Sequence, residues 1–187
     1  MISHKHKFIF IHIPKTAGTS VVKILGGRDS DMGHAKVTDQ MDANENYFKF
    51  AFVRNPWDRF ASCYFYLKAG GMNEAYDVRD RKIFLDQHDS FEDFILNTNF
   101  NRLFAQQHFK PQSYYLDKEI DFIGRFENLQ EDFNIVCDKI GVPQQQIPHK
   151  NKSDHKHYTE YYTNRKRGIV EEKYKKDIEY FGYKFGE

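Results

Sequence analysis

The stretch FIFIHIPKTAGTS, residues 8–20, decides the fold class of this chain. Lys7 to Ile13 is rich in Ile and Phe and predicts a buried strand, which Pro14 ends. The residues from Thr19 to Leu25 predict the start of a helix, which Gly26-Gly27 ends. A buried strand that passes through a short loop into a helix is a building unit of α/β proteins.

Two more strands and several helices are predicted along the chain. The second strand is YFKFAFV at residues 47–53, and the third is Asp121–Phe126. The predicted helices cover about Pro56–Lys68, the residues after the third strand up to Ile140, and most of Tyr158–Tyr180. A short strand is considered near Ala35–Thr38, and the polar Ala69–Gln87 predicts a mobile segment. We therefore predict a single α/β domain over residues 1–187, with a mainly parallel β-sheet flanked by helices.

The composition excludes several classes of protein. Lys plus Arg total 28 and Asp plus Glu total 27, a net charge of +1, so we expect no nucleic-acid partner. No stretch approaches the roughly 18 apolar residues of a membrane-spanning helix, so we expect no membrane span. Cys63 and Cys137 form no metal motif, and the N-terminus does not read as a signal peptide. We expect a cytoplasmic protein. The sequence leaves the oligomeric state open.

The loop after the first strand has the composition of an anion-binding site. A turn between a strand and a helix can aim backbone N–H groups at an anion, and Gly18 lets the backbone come close. Lys15 adds a mobile positive charge, and Thr16, Thr19 and Ser20 add hydroxyl donors. The string differs from the nucleoside-triphosphate loop GxxxxGK[ST], because its lysine precedes the glycine. The alternative is a plain turn with a surface lysine and a threonine cap.

A second anion site is predicted where the second strand ends. Arg54 follows that strand, and Ser62 lies two turns into the next helix, within FVRNPWDRFAS at residues 52–62. An arginine and a serine that flank a strand–helix junction can hold a second anion near the first. The alternative is that Arg54 or Arg59 forms an ion pair with Asp58 or another surface acid.

The strings PKTAGTS (residues 14–20) and FVRNPxxRxxSxY (residues 52–64) together resemble the sulfotransferases that use 3′-phosphoadenosine 5′-phosphosulfate (PAPS). The resemblance is closest to the carbohydrate sulfotransferase group of the Golgi and its small bacterial relatives. It extends, in the same order, over residues 108–113, 122–129, 148–153 and 180–185. The first two strings are specific and the later four are supporting, so the resemblance covers most of the chain.

The resemblance implies a set of cofactor contacts. The loop would hold the 5′-phosphosulfate as a P-loop-like strand–loop–helix site, and Arg54 and Ser62 would hold the 3′-phosphate. Arg125 and Phe126 would lie near the adenine, where the Phe126 ring offers a stacking face. PAPS would be the sulfuryl donor, its desulfated form PAP the product, and no metal would be needed. The loop residues concerned are Lys15, Thr16, Ala17, Gly18, Thr19 and Ser20.

The same resemblance implies that a sulfuryl group moves in line from PAPS to an acceptor hydroxyl, on a carbohydrate, a glycolipid or a small metabolite. Lys15 would offset charge on the departing phosphate oxygen. A general base must take the proton of the acceptor. We favour His34, because it lies between the two cofactor strings, where related carbohydrate enzymes place a catalytic histidine. His12, His108 or a carboxylate are the alternatives.

Two other functions compete with this one. An NTP-dependent phosphotransferase would need a lysine inside a standard phosphate loop, which this chain lacks, and an acid that binds Mg²⁺. A nucleotide-binding protein of the same fold that has lost catalysis is the second. His149, His155 and His157 suggest metal ligands, but no cysteine or second pair completes a site. Arg165-Lys166-Arg167-Gly168 is similar to a basic 3′-phosphate loop of cytosolic sulfotransferases, yet its helical surroundings favour a solvated helix face.

Overall fold

The computed structural model describes residues 1–27, 46–116, 118–148 and 156–187. The chain forms two compact units. The first unit comprises Met1–Arg54 and Gln112–Ser153, and the second comprises Asn55–Pro111 and Asp154–Glu187. The single domain expected over residues 1–187 stays a prediction.

Four strands and eight α-helices lie in the described ranges. The strands are β1 (Ile2–Ser3), β2 (Phe8–Ile11), β3 (Phe48–Val53) and β4 (Phe122–Arg125). The helices are α1 (Gly18–Ile24), α2 (Pro56–Lys68), α3 (Ala75–Phe84), α4 (Phe91–Asn97), α5 (Phe100–Leu103), α6 (Leu129–Ile140), α7 (Asn164–Lys173) and α8 (Lys175–Phe181). Short 3₁₀ turns occur at Gln107–Phe109, Gln112–Tyr114, Phe126–Asn128 and Tyr158–Tyr161.

The first unit is built on one four-stranded sheet, with the strands in the order β1-β2-β3-β4. β1 is antiparallel to β2, whereas β2, β3 and β4 are parallel to one another. The register pairs Phe10 with Phe50 and Phe50 with Phe122, so a row of phenylalanines crosses the sheet. The predicted α/β class with a mainly parallel sheet is confirmed. Parallel strands bring their carboxyl ends to one edge, where ligands of open α/β sheets bind.

An apolar core covers this sheet. β2 is buried along its whole length, as a continuous apolar run predicts for a parallel strand. The Phe10 and Phe50 rings stack with their centroids 5.0 Å apart. Gly124 of β4 leaves room for the Phe52 ring, because a Cβ at Gly124 would lie 2.5 Å from a ring carbon. Helices α1 and α6 contribute further side chains to this core, which are Val21, Val22, Phe133, Val136, Cys137 and Ile140.

Helix α2 organises the second unit. Asn55 caps the helix by accepting from the Trp57 N–H at 3.2 Å, and Pro56 is the first helical residue, as predicted. The Asn55 amide also donates to the Lys184 carbonyl at 2.9 Å, so one buried side chain holds both α2 and the C-terminal residues. Phe60 lies among aromatic rings whose centroids are 5.4–5.9 Å away, namely those of Phe91, Phe94, Phe100, Phe109 and Tyr174.

The polar segment Ala69–Gln87 contains a helix that the sequence analysis did not predict. Ala75–Phe84 forms helix α3, and the mobility expected for the segment stays a prediction. The carboxylate of Asp77 is buried, and its Oδ2 accepts from the Tyr66 hydroxyl and from the Met72 N–H, each at 2.9 Å. A segment of polar composition therefore contains a helix that the hydrogen bonds of Asp77 hold in place.

Other expectations are met or fall outside the described residues. Tyr158–Tyr180 is mostly helical, as predicted, but it divides into a 3₁₀ turn, α7 and α8. The strand considered near Ala35–Thr38 lies outside the described residues. The short strand β1 was not predicted. In the part of the chain that the structure describes, no helix has both the length and the apolar character needed to cross a membrane.

Candidate active site

The β2–α1 loop, defined here as residues 12–17, joins the buried strand β2 to helix α1. Lys15 and Ala17 have φ angles of 68° and 66°, in the left-handed region that residues with a side chain rarely adopt. Such conformations persist only where the surrounding structure enforces them, and they concentrate at functional sites. The predicted strand–loop–helix unit is present, with two backbone conformations that its sequence did not indicate.

The main chain of this loop presents donors to a ligand. The N–H groups of Ser20 and Val21 both donate to the Ala17 carbonyl, at 2.9 and 3.2 Å. Within the described ranges, the N–H groups of residues 16–19 have no acceptor in the protein. N–H groups without an internal partner at a helix start are ready donors to an anion.

Of the three predicted hydroxyl donors, one serves the loop itself. Thr16 is fully buried, and its hydroxyl donates to the Ile13 carbonyl at 3.0 Å. Thr19 and Ser20 are half-buried in the first turn of α1. A contact of Thr16 with an anion would therefore use its N–H group rather than its hydroxyl.

His12 and Gly18 fit against each other at the start of α1. The His12 ring is 4% exposed and stacks on Phe10 with a centroid distance of 5.9 Å. A Cβ at Gly18 would lie 1.9 Å from His12 Cδ2 and 2.3 Å from its Nε2. Residue 18 must therefore be glycine for the imidazole to lie where it does, and His12 is the packed first residue of the loop.

Arg54 connects the end of β3 to the β2–α1 loop. Its Nη1 donates to the Lys15 carbonyl at 3.2 Å. Its guanidinium carbon lies 4.1 Å from the centroid of the Phe126 ring, in cation–π geometry. The ends of the three parallel strands thus bring Lys15, Arg54 and Phe126 together in the first unit. The Arg54 guanidinium at the loop, the N–H groups of residues 16–19 and the positive charge that Lys15 adds to the loop together suit an anionic ligand.

The turn after β4 is fixed by a carboxylate. The Arg125 N–H donates to Asp132 Oδ2 at 2.6 Å, which ties the strand end to helix α6. Phe126 follows directly and is half-buried. The Arg54 guanidinium covers one face of its ring.

A profile of the sulfotransferase family matches residues 1–184 of this chain. The chain belongs to the sulfotransferase family. The resemblance that its two strings carried is confirmed.

Two proteins are similar in sequence to this member of the sulfotransferase family. Carbohydrate sulfotransferase 14 of Danio rerio is 25% identical over 181 residues, which cover 77% of this chain and 48% of that protein. An uncharacterized protein of Archaeoglobus fulgidus is 34% identical over 102 residues, which cover 54% of this chain and 73% of that protein. The chain therefore spans about half the length of the Danio rerio relative. No solved structure gives a significant match.

The structure does not test the placement of two predicted site residues. His34, our preferred base, lies outside the described residues. Ser62 lies on α2 in the second unit and is 8% exposed, whereas Arg54 ends the first unit. Their joint contact with a 3′-phosphate stays a prediction.

His108 belongs to a buried polar network in the second unit. The amide nitrogen of Gln106 lies 2.8 Å from His108 Nδ1 and 3.0 Å from Asp80 Oδ2, and the amide oxygen accepts from the Phe109 N–H at 3.2 Å. Since the Gln106 nitrogen donates to both partners, we assign the neutral ring its proton on Nε2. That tautomer is a donor at Nε2, which disfavours His108 as a general base.

Tyr66 lies beside the same network. Its ring centroid is 5.2 Å from that of His108, and its hydroxyl donates to Asp77. Burial, together with this hydrogen bond to a carboxylate, raises the pKa of Tyr66 well above its usual range. The phenol therefore stays protonated at neutral pH and is not a base.

The remaining candidates contribute no metal site or basic loop in the described ranges. His149 and His155 lie outside those ranges, and the exposed His157 contacts the Thr159 hydroxyl at 2.8 Å. No group of three or more His, Cys, Asp or Glu side chains suited to a metal occurs among residues 1–27, 46–116, 118–148 and 156–187. The basic string at 165–168 is helical, as expected, but Lys166 is buried rather than solvated.

Sequence analysis missed the role of Gln112. Its amide oxygen accepts from the Arg54 N–H at 2.9 Å, and its amide nitrogen donates to the Arg54 carbonyl at 2.8 Å. The two residues are 58 positions apart, so no local pattern could have joined them. The one available signal was that Gln112 belongs to the supporting string at residues 108–113.

Proposed function

We propose that this protein transfers a sulfuryl group from PAPS to an acceptor hydroxyl. The observation that carries the proposal is the β2–α1 loop, where N–H groups without an acceptor among the described residues lie in a loop that contains Lys15 and contacts the Arg54 guanidinium. Membership of the sulfotransferase family and the similarity to a protein named carbohydrate sulfotransferase 14 support it.

The donor set of the loop fits PAPS. The N–H groups of residues 16–19 and the Lys15 ammonium would hold the 5′-phosphosulfate, and Arg54 with Ser62 would hold the 3′-phosphate. When bound, PAPS supplies a sulfuryl group activated by its bond to phosphate. The task of the protein is to orient this donor and to balance charge on the departing phosphate, a role for which the loop supplies Lys15.

The reaction also needs an acceptor hydroxyl and a general base. The acceptor is a carbohydrate or glycolipid hydroxyl, otherwise that of a small metabolite, and its proton passes to a general base. We propose His34 for that role. His12 is packed between Phe10 and Gly18, and the tautomer assigned to His108 disfavours it.

A single domain over residues 1–187 and a cytoplasmic location complete the proposal. The family match runs across both compact units. Cys63 and Cys137 are buried thiols, which suits a reducing compartment.

Calorimetric titration of the purified protein with PAP, compared with ATP plus Mg²⁺, tests the cofactor class. We expect PAP to bind tightly without metal and ATP to bind weakly. Preference for Mg-ATP would identify a phosphotransferase instead. A protein that binds PAP but transfers no label from sulfur-labelled PAPS across a panel of carbohydrate, glycolipid and small-molecule acceptors would be a nucleotide-binding relative without this activity.

A further inference from the structure

We infer that Gln112 is a positioning residue, which fixes the Arg54 main chain so that the Arg54 side chain reaches the β2–α1 loop. The inference deepens the proposed function and rests on it, because it assigns Gln112 a role in binding the sulfuryl donor. Gln112 touches no reacting atom in this scheme and acts through Arg54.

Both polar groups of the Gln112 side chain form hydrogen bonds with the main chain of Arg54. Gln112 is fully buried, and the two polar atoms of its side chain bond the N–H and the C=O of the same residue, at 2.9 and 2.8 Å. Arg54 is the first residue after β3, whose last residue, Val53, still pairs with Arg125 of β4. The glutamine thus supplies the hydrogen bonds that a neighbouring strand would supply if the sheet continued.

The position of this bond determines where the Arg54 side chain goes. A residue just beyond a strand is free to rotate about φ and ψ unless its main chain is held, and holding it costs conformational entropy that the two Gln112 hydrogen bonds must offset. From the held main chain, the guanidinium spans to the Lys15 carbonyl at 3.2 Å and lies over Phe126 at 4.1 Å. Without Gln112, Arg54 would sample other directions, and the left-handed Lys15 would lose a donor to its carbonyl for part of the time.

A double-mutant cycle on the affinity for PAP separates positioning from independent effects. Gln112→Met keeps the approximate volume of the side chain and removes both hydrogen bonds. We expect it to weaken PAP binding about 3- to 30-fold in the wild-type background, the loss that one or two net hydrogen bonds represent. In the Arg54→Ala background we expect less than about a twofold further loss. Equal fold-losses in the two backgrounds would overturn the inference.

Gln106→Met is the matched control. Gln106 is also a buried glutamine whose amide holds a main-chain N–H, that of Phe109, but it lies in the second unit. We expect it to lower the melting temperature, with no coupling to Arg54→Ala in PAP affinity. Should Gln112→Met fail to fold, Gln112→Glu enters the same cycle, because its carboxylate keeps the acceptor for the Arg54 N–H and loses the donor.

Amide hydrogen exchange gives a readout without any ligand. Gln112→Met and Arg54→Ala should each speed exchange at Ser20 and Val21, whose N–H groups bond the Ala17 carbonyl, and the double variant should add nothing. If wild type does not bind PAP, the proposed function fails, while this exchange cycle still decides whether Gln112 positions Arg54. Unchanged exchange in Gln112→Met would overturn the inference even if PAP binds.

Discussion

Replacing Gly18 by alanine tests the geometry of the β2–α1 loop directly. The added Cβ would lie 1.9 Å from His12 Cδ2, whereas carbon atoms in contact are normally about 3.5–4.0 Å apart. The imidazole is 4% exposed and stacked on Phe10, so it cannot move aside without disturbing the core. Extra atoms in a packed interior cost about 1–3 kcal/mol. Gly→Ala also returns about 0.4–1 kcal/mol by restricting the unfolded chain.

Because a Cβ at 1.9 Å is a severe overlap, the cost lies in the upper half of that range, and the expected net loss for Gly18→Ala is about 1–2.5 kcal/mol of unfolding free energy. For a chain of this size each kcal/mol lowers the melting temperature by about 2–4 °C, so we expect a decrease of about 2–10 °C. The PAP affinity should fall as well, because α1 and the loop must shift to relieve the overlap. Thermal denaturation and PAP titration of the same samples measure both effects.

Gly168→Ala is the matched control for this substitution. Gly168 lies in helix α7, and an added Cβ would meet nothing within 4 Å. We expect this variant to be as stable as wild type or more stable by up to about 1 kcal/mol, through the same unfolded-state effect. The control removes the general consequence of Gly→Ala from the comparison.

His12→Ala completes the cycle, since it removes the ring that the new methyl group would strike. In that background, Gly18→Ala should cost no stability. The reasoning is refuted if Gly18→Ala melts and binds PAP like wild type, or if its penalty is the same with and without the His12 ring.

Three further predictions follow from the site and the core. Lys15→Ala should abolish sulfuryl transfer while leaving the melting temperature near that of wild type; full turnover in this variant would show that Lys15 does not offset charge on the leaving phosphate. Arg54→Ala should weaken PAP binding about 10- to 100-fold more than binding of adenosine 5′-phosphosulfate, which lacks the 3′-phosphate, whereas equal losses would remove Arg54 from the 3′-phosphate site. Burial raises the pKa of the Cys137 thiol, so at pH 8 it should react with a disulfide reagent far more slowly in folded than in urea-unfolded protein, and equal rates would contradict its placement in the core.

The elements that the sequence predicts well are those set by neighbouring residues. The apolar run before Pro14 predicts a buried strand correctly. Every residue of β2 lies in the core, so burial is written into each position of the run. The Asn55-Pro56 pair predicts the start of α2 because capping is a contact over two or three residues. By contrast, α3 has a polar sequence, and what anchors it is the buried Asp77, whose partners lie on other parts of the second unit.

In the β2–α1 loop, too, some features are set by neighbouring residues and others by residues far away in the sequence. Sequence analysis gave Gly18 the role of letting an anion approach the backbone, which stays a prediction, and the structure adds a second role, because Gly18 makes room for the His12 ring. The left-handed conformations fall instead on Lys15 and Ala17, where no local rule predicts them. These conformations depend on contacts such as the Arg54 bond to the Lys15 carbonyl, which spans 39 positions.

At the loop, side chains bond within the protein, whereas main-chain N–H groups are left to bind a ligand. The Thr16 hydroxyl, the His12 ring and one Arg54 nitrogen are all engaged within the protein at the loop, where they shape its main chain. By contrast, the main-chain N–H groups of residues 16–19 have no acceptor in the part of the chain that the structure describes. Recognition of the phosphosulfate would then be made mainly by main chain that side chains hold in a strained form. Substitutions at residues 12, 16, 18 and 112 should therefore change the affinity for the sulfuryl donor, because they alter the main chain of the loop. No side chain at these four positions needs to touch the donor.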